Sequence, residues 1–157
     1  MEPRLNVFGN ELAMKTVKHL NAIGALVHAS SLPDATAELV KIRASQINGC
    51  AFCLDMHTKD AAAAGETQLR LNLVATWREA TVFTEPERAA LELAEQGSRI
   101  ADNPAGVTDE AWANAVKHYD TEQLTALVTI IALINTYNRM NVITRQPGGS
   151  YTPGQFA

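Results

Sequence analysis

The chain has no surplus of positive charge. Its 13 Lys and Arg stand against 17 Asp and Glu, a formal net charge of −4. A nucleic-acid partner calls for a basic face that displaces counterions from phosphates, so that class is set aside. Cysteine is scarce as well: two in 157 residues cannot build the disulfide framework of a small secreted domain, which points to a reducing, cytoplasmic compartment. The longest apolar run, Leu124 to Ile134, carries two threonines and is about half the ~20 residues of a bilayer-spanning helix. It is expected to be a buried helix, and no membrane partner is expected. The start, Met1-Glu2-Pro3-Arg4, lacks the basic segment followed by an apolar one that marks a secretory signal. Missing too is any convincing apolar–polar alternation of period two, the mark of a half-buried strand.

What is present is helical pattern throughout, with 46% hydrophobic and 19% charged residues, ordinary values for a globular chain. The expectation is an all-α, single-domain helical bundle of about six to seven helices over 1–157, with a core at 10–145 and a tail at 146–157. A first helix starts at Asn10 as cap and runs to about Ala29, with Val17, Leu20, Gly24 and Val27 on one face. Asp34 is read as the cap of a second helix, 35–47. Asn48-Gly49 is a turn signal, so a third helix would begin at Cys50 and stop near Gly65. A fourth is expected at 67–80. Thr84-Glu85-Pro86-Glu87 reads as a capping box opening a helix to about Ile100. A short helix from Thr108 to Tyr119 follows, then a long one capped by Asp120 or Thr121 and reaching about Val142. From Gln146 onward the chain reads as loop or arm.

Both cysteines lie in Cys50-Ala51-Phe52-Cys53, with His57 four residues beyond. On a helix, positions 50, 53 and 57 fall at about 0°, 300° and 340°, all on one face. Thiols three apart can close a disulfide without rearranging the fold. Cys50 would sit in the first turn, where free N–H groups and the helix dipole favour a thiolate. His57 is in i, i+4 reach of Cys53 and can take its proton directly or through one water. Ala61 and Ala64 continue that face and would let another element approach closely.

Glu38 is the third member. If helices 35–47 and 50–64 fold back from Asn48-Gly49, Glu38 and His57 stand at comparable heights, ~15 and ~12 Å from the hinge at ~1.5 Å per residue. A partly buried Glu38 would need a partner, and a carboxylate on one imidazole nitrogen raises the basicity of the other. Zinc is the competing use of two cysteines and a histidine, but it takes four ligands, and only His28 or His118 could complete Cys50, Cys53 and His57. Trp77-Arg78-Glu79 and Asn135-Thr136-Tyr137-Asn138-Arg139 interrupt apolar patterns. Trp77 is read as core with a tethered N–H, and Asn138 and Arg139 either as packed polar residues of a buried helix or as pocket or interface residues.

Glu38, eleven intervening residues, Cys50-x-x-Cys53, three residues and His57 together resemble the alkyl hydroperoxidase D signature of the carboxymuconolactone decarboxylase-like superfamily. Gln46 to Thr58 is close to the form of its small members, and Trp77-Arg78-Glu79 and Asn135-x-x-Asn138-Arg139 are similar to further elements there. The resemblance covers most of 10–145. It implies an all-α fold, homotrimers or hexamers, and a thiol peroxidase of peroxiredoxin type with no cofactor, metal or haem. By position, Cys53 would be the peroxidatic thiol, activated through His57 and Glu38. Cys50 would be the resolving and more accessible one. The substrate would be a hydroperoxide, and an external dithiol, on a lipoylated or thioredoxin-like protein, would restore the pair. The best-known branch has a histidine directly before the second cysteine, where this chain has Phe52. The relay would be shorter here, and Cys50 remains an alternative first nucleophile. Two rivals stand beside this reading: a decarboxylase-type lyase acting on a small lactone acid, served by Arg43 or Arg139, and a non-enzymatic redox sensor.

Overall fold

A computed structural model describes residues 2–7 and 9–156; Met1, Phe8 and Ala157 lie outside the described residues, so the last position of the expected tail is not covered. Among the described residues there are seven α-helices and no strand: α1 Glu11–His28, α2 Asp34–Asn48, α3 Ala51–Ala63, α4 Gln68–Leu73, α5 Glu85–Ser98, α6 Asp109–Val116 and α7 Thr121–Thr144. The all-α expectation holds.

Caps explain most of the boundaries. Asn10 accepts from the Ala13 N–H at 2.9 Å, which starts α1 where expected. Thr84 and Glu87 satisfy each other's backbone in a capping box, as do Asp120 and Gln123. Asp34 departs from its expected role. The helix begins one residue earlier, after Pro33, whose ring presets φ at −59°, and no side chain caps it. The Asp34 carboxylate instead meets His28 Nδ1 at 2.7 Å across the α1–α2 link. The fourth expected helix is shorter than 67–80: α4 ends at Leu73 and tightens into a 3-10 turn, Val74–Thr76. Thr67 caps it.

α2 is the hub, packed against α3, α5 and α7. Leu39, Val40, Ile42 and Ala44 are buried on it. On one side, Val40 joins Ala90, Leu93, Leu127 and Ile130 in a core shared with α5, α6 and α7. On the other, Leu39 and Ile42 meet Ala61, Leu71, Val74, Trp77, Phe83 and Leu91. α1 lies outside this hub. It buries Val27 and leaves Leu12 and Leu26 more than 70% exposed, while Gly24 faces Leu133 of α7.

α7 is much longer than the apolar run seen in the sequence. By length and composition it could cross a membrane. Here it packs against α1, α2, α3 and α5 and buries Asn135 and Asn138 among its apolar residues. The reason is hydrogen bonding. Asn48 Nδ2 on α2 donates to both asparagines, at 2.8 and 2.9 Å, and Asn138 Nδ2 donates to Ser45 Oγ at 3.0 Å. Those amides lock the end of α2 onto α7, immediately before the α2–α3 turn.

Candidate active site

At that turn Gly49 takes the left-handed conformation, φ 67°, which only a residue without Cβ adopts freely. The Cys50 N–H closes the end of α2 on Ser45 O at 3.0 Å. The chain then re-enters a helix at once. Cys50 is the residue before that helix rather than in its first turn, and its sulfur accepts from the Cys53 N–H at 3.2 Å. A cysteine therefore serves as the N-cap of α3.

The structure joins Cys50 and Cys53 in a disulfide, with Cα atoms 5.4 Å apart. The pair packs with Ala44, Ile134 and Phe52. Both cysteines are 1% exposed, so the greater accessibility expected of Cys50 is not seen: the α2–α7 contact buries them equally.

The structure brings Glu38 and His57 together. Glu38 Oε2 lies 3.1 Å from His57 Nδ1, and Lys41 Nζ bonds the other oxygen of the same carboxylate. Burial pushes the Glu38 carboxyl up, but the His57 hydrogen bond and the Lys41 charge outweigh it and hold the group at about 2. At neutral pH Glu38 is therefore an anion that only accepts, so His57 Nδ1 carries the proton in this contact. In the neutral ring that leaves Nε2 as the basic nitrogen. Among the described residues His57 makes no hydrogen bond to either sulfur while they are joined. Cys53 Sγ instead receives Asn141 Nδ2 of α7 at 3.4 Å.

The tail is a strap across α3, the helix that carries Cys53 and His57. Gly149 and Tyr151 donate their backbone N–H groups to Asp55 Oδ2 at 2.6 and 2.9 Å. Lys59 Nζ donates to Tyr151 O at 2.8 Å, and the Tyr151 hydroxyl donates to Asp60. Phe156 packs on Phe52 with ring centres 6.2 Å apart. At Gly148 a Cβ would stand 2.5 Å from Ala51 O, so glycine is required for so close a pass over the first residue of α3. Of the two alanines expected to allow a close approach, Ala61 is buried against α2 and α4 while Ala64 is exposed, and a second close approach, by the tail, occurs at the other end of the helix.

Other sequence candidates fall elsewhere. Trp77 is core, as read, with Nε1 donating to Glu95 at 3.0 Å. Arg43 grips the same Glu95 carboxylate through Nε and Nη2, at 3.2 and 2.9 Å. Asn138 is fully buried and structural. Arg139 is exposed and borders an apolar hollow of about 440 Å³ with Trp112, Val128 and Ile131, which contains neither cysteine. Lys41, Asn141 and the strap were missed. Lys41 was detectable as the i+3 neighbour of Glu38. Asn141 shares a helix face with Ile134 and Asn138 by spacings of four and three. Nothing local in the tail announces its docking.

The profile of the carboxymuconolactone decarboxylase family matches residues 12–96. The chain is 42% identical over 132 residues to the uncharacterized protein YdfG of Bacillus subtilis, covering 84% of this chain and 88% of that one. It is 34% identical over 112 residues to the uncharacterized protein YnjA of Escherichia coli, covering 71% of this chain and 60% of that one. A solved structure of a protein of unknown function from Agrobacterium tumefaciens, suggested to be the antioxidant defence protein AhpD, superposes with a TM-score of 0.86. Its identity is 33%, over 96% of this chain and all of the other.

Proposed function

This chain belongs to the carboxymuconolactone decarboxylase family, and we propose that within it the protein is an alkyl hydroperoxidase D-like thiol peroxidase. The observation that carries the reading is the Glu38–His57 hydrogen bond beside a Cys50–Cys53 disulfide. An ionised carboxylate fixes the tautomer of a histidine one helical turn beyond a redox-active pair, which is how a weak thiol is made a nucleophile.

In the reduced enzyme His57 Nε2 takes the Cys53 proton, directly or through one water. The Cys53 thiolate attacks the terminal oxygen of a hydroperoxide. An S–O bond forms, the O–O bond breaks, and the alkoxide leaves as alcohol with the proton from His57. Cys50 then attacks the sulfenic sulfur, releasing water and closing the disulfide seen here. An external dithiol reduces that bond and is itself oxidised. Glu38 keeps the imidazolium stabilised through the cycle without being protonated, as its low pKa requires. No step needs a metal or an organic cofactor. A buried disulfide suits a small dithiol arm, such as a lipoyl group on a partner protein, better than a flat protein surface. Assembly into a homotrimer or hexamer, and a cytoplasmic location, belong to the same proposal.

The lyase alternative is weakened because Arg43 is already paired with Glu95 and Arg139 borders a separate hollow. The deciding experiment counts free thiols before and after one equivalent of hydroperoxide. The wild type should lose two. Cys50→Ser should hold a trappable sulfenic acid, and Cys53→Ser should not. Unchanged counts in the wild type would refute the reading. Sulfenic acid in Cys53→Ser alone would make Cys50 the first nucleophile.

A further inference from the structure

We infer that Asn141 is a further catalytic residue of this site: its side-chain amide donates to Cys53 Sγ, stabilising the thiolate that attacks the peroxide. The assignment rests on the peroxidase reading for the identity of the nucleophile. Asn141 lies on α7, and its Nδ2 stands 3.4 Å from Cys53 Sγ. A disulfide sulfur can only accept, so the amide nitrogen and not its oxygen faces it.

The two sulfurs are served differently. Cys50 receives a backbone donor, the Cys53 N–H at 3.2 Å, supplied by its position as the cap of α3. Among the described residues no backbone N–H donates to Cys53 Sγ, and its hydrogen bond comes from a side chain. Its donor comes from another element, and α7 brings Asn141. When the disulfide is reduced, the same N–H meets a full negative charge. Hydrogen bonds to an ionised acceptor are about twice as strong as neutral ones, so the amide favours thiolate over thiol.

The charged groups around Cys53 are accounted for. α2 and α3 bring the Glu38–Lys41–His57 set. Asp55 of α3 is paired with Lys59 and the tail. α7 presents the neutral amide, with Arg139 hydrogen-bonded to Asn135 instead. Asn141 is placed independently of the proton relay. Buried Asn138, one turn earlier, fixes the α7 register through Asn48 and Ser45. The relay removes the thiol proton, and Asn141 stabilises the charge that remains.

The test is the pH profile of iodoacetamide alkylation of Cys53 in Cys50→Ser, with and without Asn141→Leu. Loss of the donor should raise the alkylation midpoint by about one pH unit, a roughly tenfold slower reaction at pH 6. Asn141→Asp should raise it further, by placing a like charge on the sulfur. Asn141→Ser, too short to reach, should match Asn141→Leu and guards against a packing fault in the larger variant. In Cys53→Ser the Asn141→Leu change should leave the Cys50 profile where it is. An unmoved Cys53 midpoint, or equal shifts for both cysteines, would overturn the assignment. Alkylation needs no peroxide, so the two proposals fail separately. A shifted midpoint with no thiol loss to hydroperoxide removes the peroxidase reading alone, and an unmoved midpoint with normal turnover removes Asn141 alone.

Discussion

Glu38 on α2 and Glu95 on α5 are both mostly buried carboxylates, and the fold treats them in opposite ways. Glu95 is gripped by Arg43 and by the Trp77 N–H, with Arg78 and Arg99 at 3.9 Å. Burial pushes its carboxyl up, and the Trp77 bond and the Arg43 charge bring it below the usual range. Glu38 is lowered too, but one of its partners is an imidazole. A guanidinium never gives up its proton, so the Glu95 cluster can only clamp α2 to α5. An imidazole can hold or release a proton, so the Glu38 pair can move one. Burial and a shifted carboxylate do not by themselves mark a functional site; the partner's capacity to change charge does.

The largest expected effect comes from removing that capacity. His57→Gln should slow peroxide-driven thiol oxidation by about 10²–10⁴-fold, the usual worth of a general base. Glu38→Gln should act in the same direction, because a neutral amide no longer fixes the imidazole tautomer. Stopped-flow loss of thiol after mixing with hydroperoxide measures both. A His57→Gln rate within threefold of the wild type would end the distinction between the two carboxylates.

Glu95→Gln should do the reverse. It leaves Arg43 as an unpaired, nearly buried cation and should cost about 3 kcal/mol of stability, read as a fall in the urea midpoint. The oxidation rate per folded molecule should stay the same. A slowed rate with unchanged stability would place Glu95 in the chemistry instead.

Acid should separate the pair by a smaller amount. Glu38 is near 2 when folded, against 4.5 for a free carboxyl. Because the folded value is the lower one, its contribution is complete above about pH 4.5 and fades as the pH falls towards 2. Between pH 6 and pH 3 the wild type should lose about 2 kcal/mol that Glu38→Gln does not lose. Urea unfolding at pH 6 and pH 3 checks it, and parallel losses in both proteins would contradict the bonding assigned to Glu38.

Asp55 is an intermediate case, with the smallest expected effect. Burial pushes it up, and Lys59 and the tail N–H groups bring it down. Its ionisation holds the strap. Asp55→Asn should free the tail and speed reduction of the disulfide by a water-soluble phosphine a few-fold, with little change in stability. An unchanged reduction rate would mean that the strap does not limit access.

Much of the fold was legible because helix ends are local. Asn10, Thr84 and Asp120 cap through bonds reaching three residues, and Gly49 ends a helix through its own φ. The Glu38–His57 contact was legible for a related reason, since a tight turn between two helices makes distance from the turn a measure of height. Asp34 misled because the preceding proline starts a helix without a side-chain cap. The span of α7, expected from Asp120 or Thr121 to about Val142, was legible from its cap and its helix formers, although the apolar run ends before Asn135. The buried amides that carry it onward find their partners on α2, which the sequence did not show.

The sequence alone determined the helices, the dithiol at a helix start, and a carboxylate and a histidine at matching heights, since each depends on residues within a few turns of one another. Only the tertiary structure decided what surrounds them. Arg43 is bound to Glu95 across 52 residues, Asn141 reaches Cys53 across 88, and the tail crosses α3 at Asp55 from 94 and 96 residues away. Such contacts depend on how whole helices pack, and no short-range periodicity records that.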